Sequence, residues 1–123
     1  MRISSSESLL MEALWKQSPL TSEEILAQVA GQAEWSESTV RTLLNRLLNK
    51  GAVRAERKGR QYLYWPAVER AAYVHNESRG LVDRLFGGQI TPFIHHFAEQ
   101  GELSVDDIEQ LKALIAEVEK KHG

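Results

Sequence analysis

The chain contains no cysteine. That excludes a disulfide framework, a thiolate metal site and a cysteine nucleophile. It also lacks any apolar run long enough to span a bilayer. The opening residues Met1-Arg-Ile-Ser-Ser-Ser-Glu7 lead into an amphipathic pattern, not into the continuous apolar stretch of a signal peptide, so a cytoplasmic protein is expected. No phosphate loop, no His-Glu-x-x-His zinc motif and no Ser/His/Asp arrangement in a motif context occurs. Internal repeats and low-complexity segments are missing as well. The expectation is a non-enzyme with no cofactor and no metal. At 123 residues and 42% hydrophobic content there is enough for one domain, or for a small domain with an appendage.

Net charge is also small, -2, but unevenly spread. Residues 1–65 hold nine Lys+Arg against seven Asp+Glu, whereas residues 66–123 hold six against ten. Between residues 38 and 62 there are seven basic residues, Arg41, Arg46, Lys50, Arg54, Arg57, Lys58 and Arg60, and one acid, Glu56. This local +6 points to a polyanionic partner that the chain-wide charge conceals.

The most informative stretch is 36–50, Ser-Glu-Ser-Thr-Val-Arg-Thr-Leu-Leu-Asn-Arg-Leu-Leu-Asn-Lys. Val40, Leu43, Leu44 and Leu47 recur at helical spacing and predict a core-facing stripe. Ser38, Arg41, Thr42, Asn45, Arg46 and Asn49 fall on the opposite side, a set without a carboxylate and rich in forked donors, hydroxyls and amides. Such groups suit base edges and phosphate oxygens in a DNA groove. Ser36 is the expected N-cap and Gly51 the C-terminal breaker.

Two helices should precede this one. Ser4-Ser-Ser-Glu7 and Thr21-Ser-Glu-Glu24 are capping-box patterns, the first opening onto Leu10, Met11, Leu14 and Trp15, the second onto Ile25, Leu26 and Val29. After Gly51, alternating and aromatic segments flank a turn at Gly59, which predicts a β-hairpin with a basic tip. Pro66 is expected to start a further helix reaching about Phe86, broken by Gly87-Gly88. Thr91-Pro92 should open a short helix through Phe97, and Ser104-Val-Asp-Asp107 should cap a last one.

Helix, helix, helix, hairpin is the order of a winged helix-turn-helix whose third helix reads DNA. The expected fold is therefore mainly α with a small β-hairpin wing: a DNA-binding domain over residues 1–66 and a three-helix dimerisation region over 67–123. The carboxy-terminal helices, about 55 residues, are too few to bury a good core alone. Their apolar residues Leu81, Val82, Leu85, Phe86, Phe93, Ile94, Phe97, Ile108, Leu111 and Ile115 would be buried in a two-fold dimer. DNA contact is expected from Ser38, Thr39, Arg41, Thr42, Asn45 and Arg46, with Arg46 alternatively bracing the helix through a carboxylate. Phosphate or minor-groove contact is expected from Arg57, Lys58 and Arg60. Tyr62, Tyr64 and Trp65 should pack within the wing and core. His95 and His96 point about 100° apart on a helix and suit an interface better than a metal site.

The whole chain resembles the penicillinase and methicillin-resistance repressors (BlaI/MecI type). The resemblance rests on Ile3-Ser4 with Glu7 and Leu14-Trp15, on Thr39-Val-Arg-Thr-Leu-Leu-Asn-Arg-Leu47, Lys50-Gly51, Tyr62-Leu-Tyr64 and Leu85-Phe-Gly-Gly88, and on Glu102-Leu-Ser-Val-Asp-Asp-Ile-Glu-Gln-Leu111. It implies a homodimeric transcriptional repressor on a palindromic double-stranded operator. It further implies inactivation by cleavage in the dimerisation region when a membrane-bound zinc-protease sensor detects a β-lactam. In the best-known members the cleaved bond joins Asn to Phe; the corresponding pair here is His96-Phe97. A copper-responsive branch carries carboxy-terminal cysteine pairs, which this chain lacks. Two other readings stay open at this stage: a ligand- or metal-sensing winged-helix regulator, and a winged-helix protein-interaction module.

Overall fold

The structure, a computed structural model, describes residues 2–123. Helices α1 (Ser5–Lys16), α2 (Ser22–Val29) and α3 (Glu37–Lys50) are followed by strands β1 (Val53–Lys58) and β2 (Gln61–Pro66), then by α4 (Arg70–Phe86), α5 (Ile90–Glu99) and α6 (Val105–His122). The chain divides into two compact units, one ending at Glu77 and the other beginning at Ser78.

In the first unit the helix starts follow from local chemistry. Ser4 Oγ accepts from the Glu7 amide at 3.1 Å while Glu7 Oε1 accepts from the Ser4 amide at 2.9 Å, the reciprocal box the spacing predicts. Thr21 and Glu24 repeat it at 3.1 and 2.9 Å. Helix α3 starts on Ser36, whose Oγ accepts from the Thr39 amide, and ends at Gly51 with φ +76, a left-handed value that glycine adopts at no steric cost. The Ala52 amide then donates to Leu47 O at 2.9 Å, turning the chain into the wing.

The core fills the space between these three helices and the hairpin. Leu10, Met11, Ile25, Val40, Leu44 and Leu47 are fully buried, with Leu14, Leu20, Val29 and Val53 nearly so. Strands β1 and β2 pair antiparallel from Val53↔Pro66 to Lys58↔Gln61. A third short segment joins them: Leu20, between α1 and α2, exchanges both backbone hydrogen bonds with Tyr64, at 3.2 and 2.9 Å. This bridge pins the wing to the turn preceding α2, and no local pattern predicts it.

Two expectations need correction. Pro66 does not open a helix. It is the last residue of β2, where a missing N–H is tolerated, and α4 begins four residues later at Arg70. The amino-terminal unit also runs beyond residue 66. Val68 O accepts from Trp15 Nε1 at 2.9 Å, the Tyr73 ring packs tilted against Trp15 at 5.4 Å, and Arg70 Nε donates to Glu12 at 3.0 Å. These contacts tie the start of α4 to α1.

The second unit is organised around Gly87 (φ +60) and Gly88 (φ +80), which end α4. Arg79 braces that break, donating to Asp83 Oδ1 at 3.1 Å and to Gly88 O at 2.6 Å. Phe86, Phe93 and Phe97 form a chain of edge-to-face contacts at 5.5 and 5.4 Å, with His96 lying 5.1 Å from Phe97. Ser104 and Asp107 close a capping box on α6. Val82 alone among the described hydrophobic residues of this unit is buried.

Candidate nucleic-acid interface

An open cleft of about 470 Å³ runs between α3, the amino-terminal end of α2 and the wing, lined among others by Thr21, Ser22, Arg41, Asn45, Arg60, Gln61 and Tyr62. The buried stripe of Val40, Leu43, Leu44 and Leu47 fixes how α3 is rotated and leaves Ser38, Arg41, Thr42, Asn45 and Arg46 exposed on the other side. Of the residues singled out in the sequence, Arg41, Asn45 and Arg60 line the cleft together. Thr39 is half-buried, its hydroxyl 3.1 Å from Ser36 Oγ within the cap. The Thr42 hydroxyl donates to Ser38 O at 3.0 Å, which leaves its oxygen as an acceptor facing outward.

The face is not free of carboxylates, contrary to the sequence-based expectation. Glu37, at the first position of α3, accepts from Arg41 Nη2 at 2.6 Å, and both residues line the cleft. Glu23 lines it too. The pair lies at i,i+4 with the acid toward the helix N-terminus, the favourable order. The local charge is smaller than the sequence suggests, because Lys50 points inward to Glu7 at 2.6 Å and Arg54 pairs with Glu56 at 3.4 Å while covering the Trp65 ring at 4.4 Å. Counting Glu7 and Glu37, which lie outside residues 38–62 but pair with cations inside it, lowers +6 to +4. Four cations remain without a carboxylate partner among the described residues: Arg46, Arg57, Lys58 and Arg60. All are exposed, and Arg57 Nε donates to Gly59 O at 3.1 Å across the wing tip.

The three wing aromatics separate. Tyr64 is buried, and burial raises its phenol above the usual value, with Tyr62 adding to the rise and Arg41 opposing it. Trp65 stacks under Arg54. Tyr62 does not pack in the core as expected; it is half exposed and lines the cleft. Thr21, Ser22, Gln61 and Tyr62 are therefore interface candidates that sequence reasoning missed. The signal available for Thr21 and Ser22 was their position at the start of the helix before the recognition helix.

No group of described residues could hold a metal ion, and no described helix is long and apolar enough to cross a membrane.

The penicillinase repressor family model matches residues 3–117. The chain belongs to that family. The penicillinase repressor of Bacillus licheniformis is 28% identical over 116 residues, covering 94% of this chain and 91% of the relative. The methicillin resistance regulatory protein MecI of Staphylococcus aureus is 27% identical over 113 residues, covering 92% of each. Among solved structures, monomeric BlaI of Bacillus licheniformis in complex with the blaP half-operator superposes with a TM-score of 0.51 at 32% identity, covering 59% of this chain and 89% of that one. This family member is thus a DNA-binding repressor built on a winged helix, and not an enzyme.

Proposed function

We propose that the chain represses transcription as a homodimer on a palindromic operator, with each amino-terminal unit engaging one half-site. The observation that carries this reading is the cleft between α3 and the wing, lined by Arg41, Asn45 and Arg60, on two elements that also carry the exposed cations Arg46, Arg57 and Lys58. Helix α3 enters the major groove. Ser38, Arg41, Thr42 and Asn45 meet base edges or adjacent phosphates, and Thr39 secures the helix start. Arg46, Arg57, Lys58 and Arg60 hold the phosphate backbone. A half-operator is bound by monomeric BlaI, the relative whose fold covers this region.

Dimerisation is assigned to the second unit. Leu85, Ile94, Ile108 and Ile115 are exposed in the single chain, while Leu81, Phe86, Phe93, Phe97 and Leu111 are half-buried and Val82 buried beside them. A second copy covers the exposed set on this reading, and a two-fold partner also sets the separation of two recognition helices at about 34–36 Å, one turn of DNA. Inactivation is assigned to proteolysis near His96-Phe97 by a membrane-bound zinc protease that senses the inducer, β-lactam in the family's resistance systems. Such a cut leaves α4 on one fragment and α6 on the other, dividing the apolar set.

The test is a gel shift on DNA from upstream of the chain's own gene, with and without co-expression of a neighbouring membrane protease. A specific complex is expected whose log K against log salt is steep, each neutralised phosphate contributing about -0.9. Lys58→Ala should lower that slope by about one per subunit and weaken specific and random DNA alike. A flat salt response, or equal affinity for operator and random duplex, overturns the reading. An intact chain after co-expression with the protease removes the proteolytic part.

A further inference from the structure

The proposal that α3 reads DNA leaves an unexplained feature, a carboxylate on the surface that must approach a polyanion. Glu37 side-chain exposure is 36%, and its Oε1 lies 2.6 Å from Arg41 Nη2 in the cleft. An exposed i,i+4 pair stabilises a helix by only about 0.3–0.5 kcal/mol, too little to be its main consequence. For phosphate affinity the pair is counterproductive, since it cancels one cation of the reading helix. Its geometry fits base reading. Ionised glutamate can only accept hydrogen bonds, while the Arg41 donors not engaged by Glu37 remain available beside it. In the major groove, cytosine N4 and adenine N6 present amino groups, whereas guanine O6 and thymine O4 present acceptors only. A carboxylate is therefore attracted by the first kind of edge and repelled by the second.

We propose that Glu37 is a specificity-determining residue of this repressor: its carboxylate selects a base edge carrying an amino group, cytosine above all, next to a guanine whose O6 and N7 accept from the remaining Arg41 donors, and rejects edges that carry only acceptors. Glu37 also holds the Arg41 guanidinium in the reading orientation before DNA arrives, so that less side-chain freedom is lost on binding. Removing the carboxylate strengthens binding to random DNA and makes binding less selective. The amide of Glu37→Gln can donate as well as accept, so it tolerates either edge.

This inference rests on the DNA-reading proposal, and one experiment separates the two. The full-length chain and its Glu37→Gln and Glu37→Ala variants are each used to select duplexes from a library of randomised palindromes, and binding to the selected and to random duplexes is then measured across salt. The wild type is expected to select a defined half-site containing a cytosine–guanine step. Both variants are expected to bind random DNA more tightly and to lose at least about fivefold discrimination at one base pair per half-site, the lower end of a good base contact. The remaining positions of the half-site should be unchanged. If the wild type selects no sequence, the DNA-reading proposal falls and this inference with it. If the wild type selects a half-site and the variants select the same one with undiminished discrimination, α3 reads DNA and Glu37 does not.

Discussion

The two compact units treat their apolar residues in opposite ways. In the first, fifteen hydrophobic residues from Ile3 to Tyr64 form one buried cluster. In the second, Val82 is the only described hydrophobic residue buried, and Leu85, Ile90, Ile94, Val105, Ile108, Leu114, Ile115 and Val118 are exposed. Hydrophobic stripes of similar strength in sequence thus lead to a self-sufficient core in one case and an unfinished surface in the other. The difference lies in geometry. Three short helices crossing a hairpin enclose a volume, so each stripe is covered from several sides. In the second unit the aromatic chain of Phe86, Phe93 and Phe97 joins α4 to α5, and α6 has no buried residue. On the proposed reading the tasks separate: the unit with the closed core reads DNA, and the unit with the unfinished surface is completed by a second copy.

The largest expected effect comes from cutting the comparison in two. A fragment ending at Glu77 keeps the whole buried cluster and should fold, remain monomeric and bind a single half-site. Affinity for the full palindrome should fall by about 10²–10⁴-fold relative to the intact chain, because the second half-site is no longer held at high effective concentration. Analytical ultracentrifugation and gel shift on both proteins decide this. A fragment that still dimerised with full affinity would place the dimer contacts in the wrong unit.

A pair of substitutions sharpens the contrast. Leu44→Ala, in the closed core, should destabilise the amino-terminal unit by about 2–5 kcal/mol, through lost burial and the cavity left behind. Ile115, 56% exposed in the single chain, should behave differently. Ile115→Asp should leave the unfolding of the amino-terminal unit unchanged while weakening self-association at least tenfold, since a charge would have to be desolvated in the interface. Urea unfolding followed by tryptophan fluorescence, together with sedimentation, measures both. If Leu44→Ala and Ile115→Asp affected the same property, the distinction between the units would be wrong.

The smallest effect concerns the one charged residue inside the closed core. Glu7 is 2% exposed; its Oε1 takes hydrogen bonds from Lys50 Nζ and the Ser4 amide, while Oε2 has no partner among the described residues. Burial pushes its carboxyl up, but the Lys50 and Ser4 hydrogen bonds outweigh this and the net shift is downward. A folded-state value below the ordinary one stabilises the fold above the ordinary glutamate range, and the contribution is lost as pH falls through the folded value. Wild type should therefore exceed Glu7→Gln in stability at pH 7 by about 1–2 kcal/mol, the worth of a charged hydrogen bond discounted for the partly exposed lysine. The gap should begin to narrow as pH falls below the unperturbed glutamate value, about 4.3, and close only below the lower folded-state value. Chemical denaturation at a series of pH values checks this. A gap independent of pH would mean that Glu7 contributes through packing and the helix cap alone.

Much of this molecule is decided within a few residues of chain. The capping boxes at Ser4, Thr21 and Ser104, the glycine stops at Gly51 and Gly87-Gly88, and the buried stripe of α3 involve positions within about two helical turns of one another, and each could be read from spacing. The wing followed from alternation around Gly59. The Arg41–Glu37 pair is equally local and readable in principle, but Glu37 was not among the residues placed on the outward face. What only the tertiary structure decided spans longer distances. Leu20 meets Tyr64 because the loop before α2 lies along the wing, and backbone hydrogen bonding carries no side-chain signature. Lys50 is removed from the cationic surface by Glu7, forty-three positions away, because packing of α1 on α3 brings a buried carboxylate within its reach. The cleft joins Thr21 and Ser22 to Tyr62 for the same reason. Local spacing determines which residues a helix presents on one face; only the packing of helices on the hairpin determines which of those charges stay free to meet a partner.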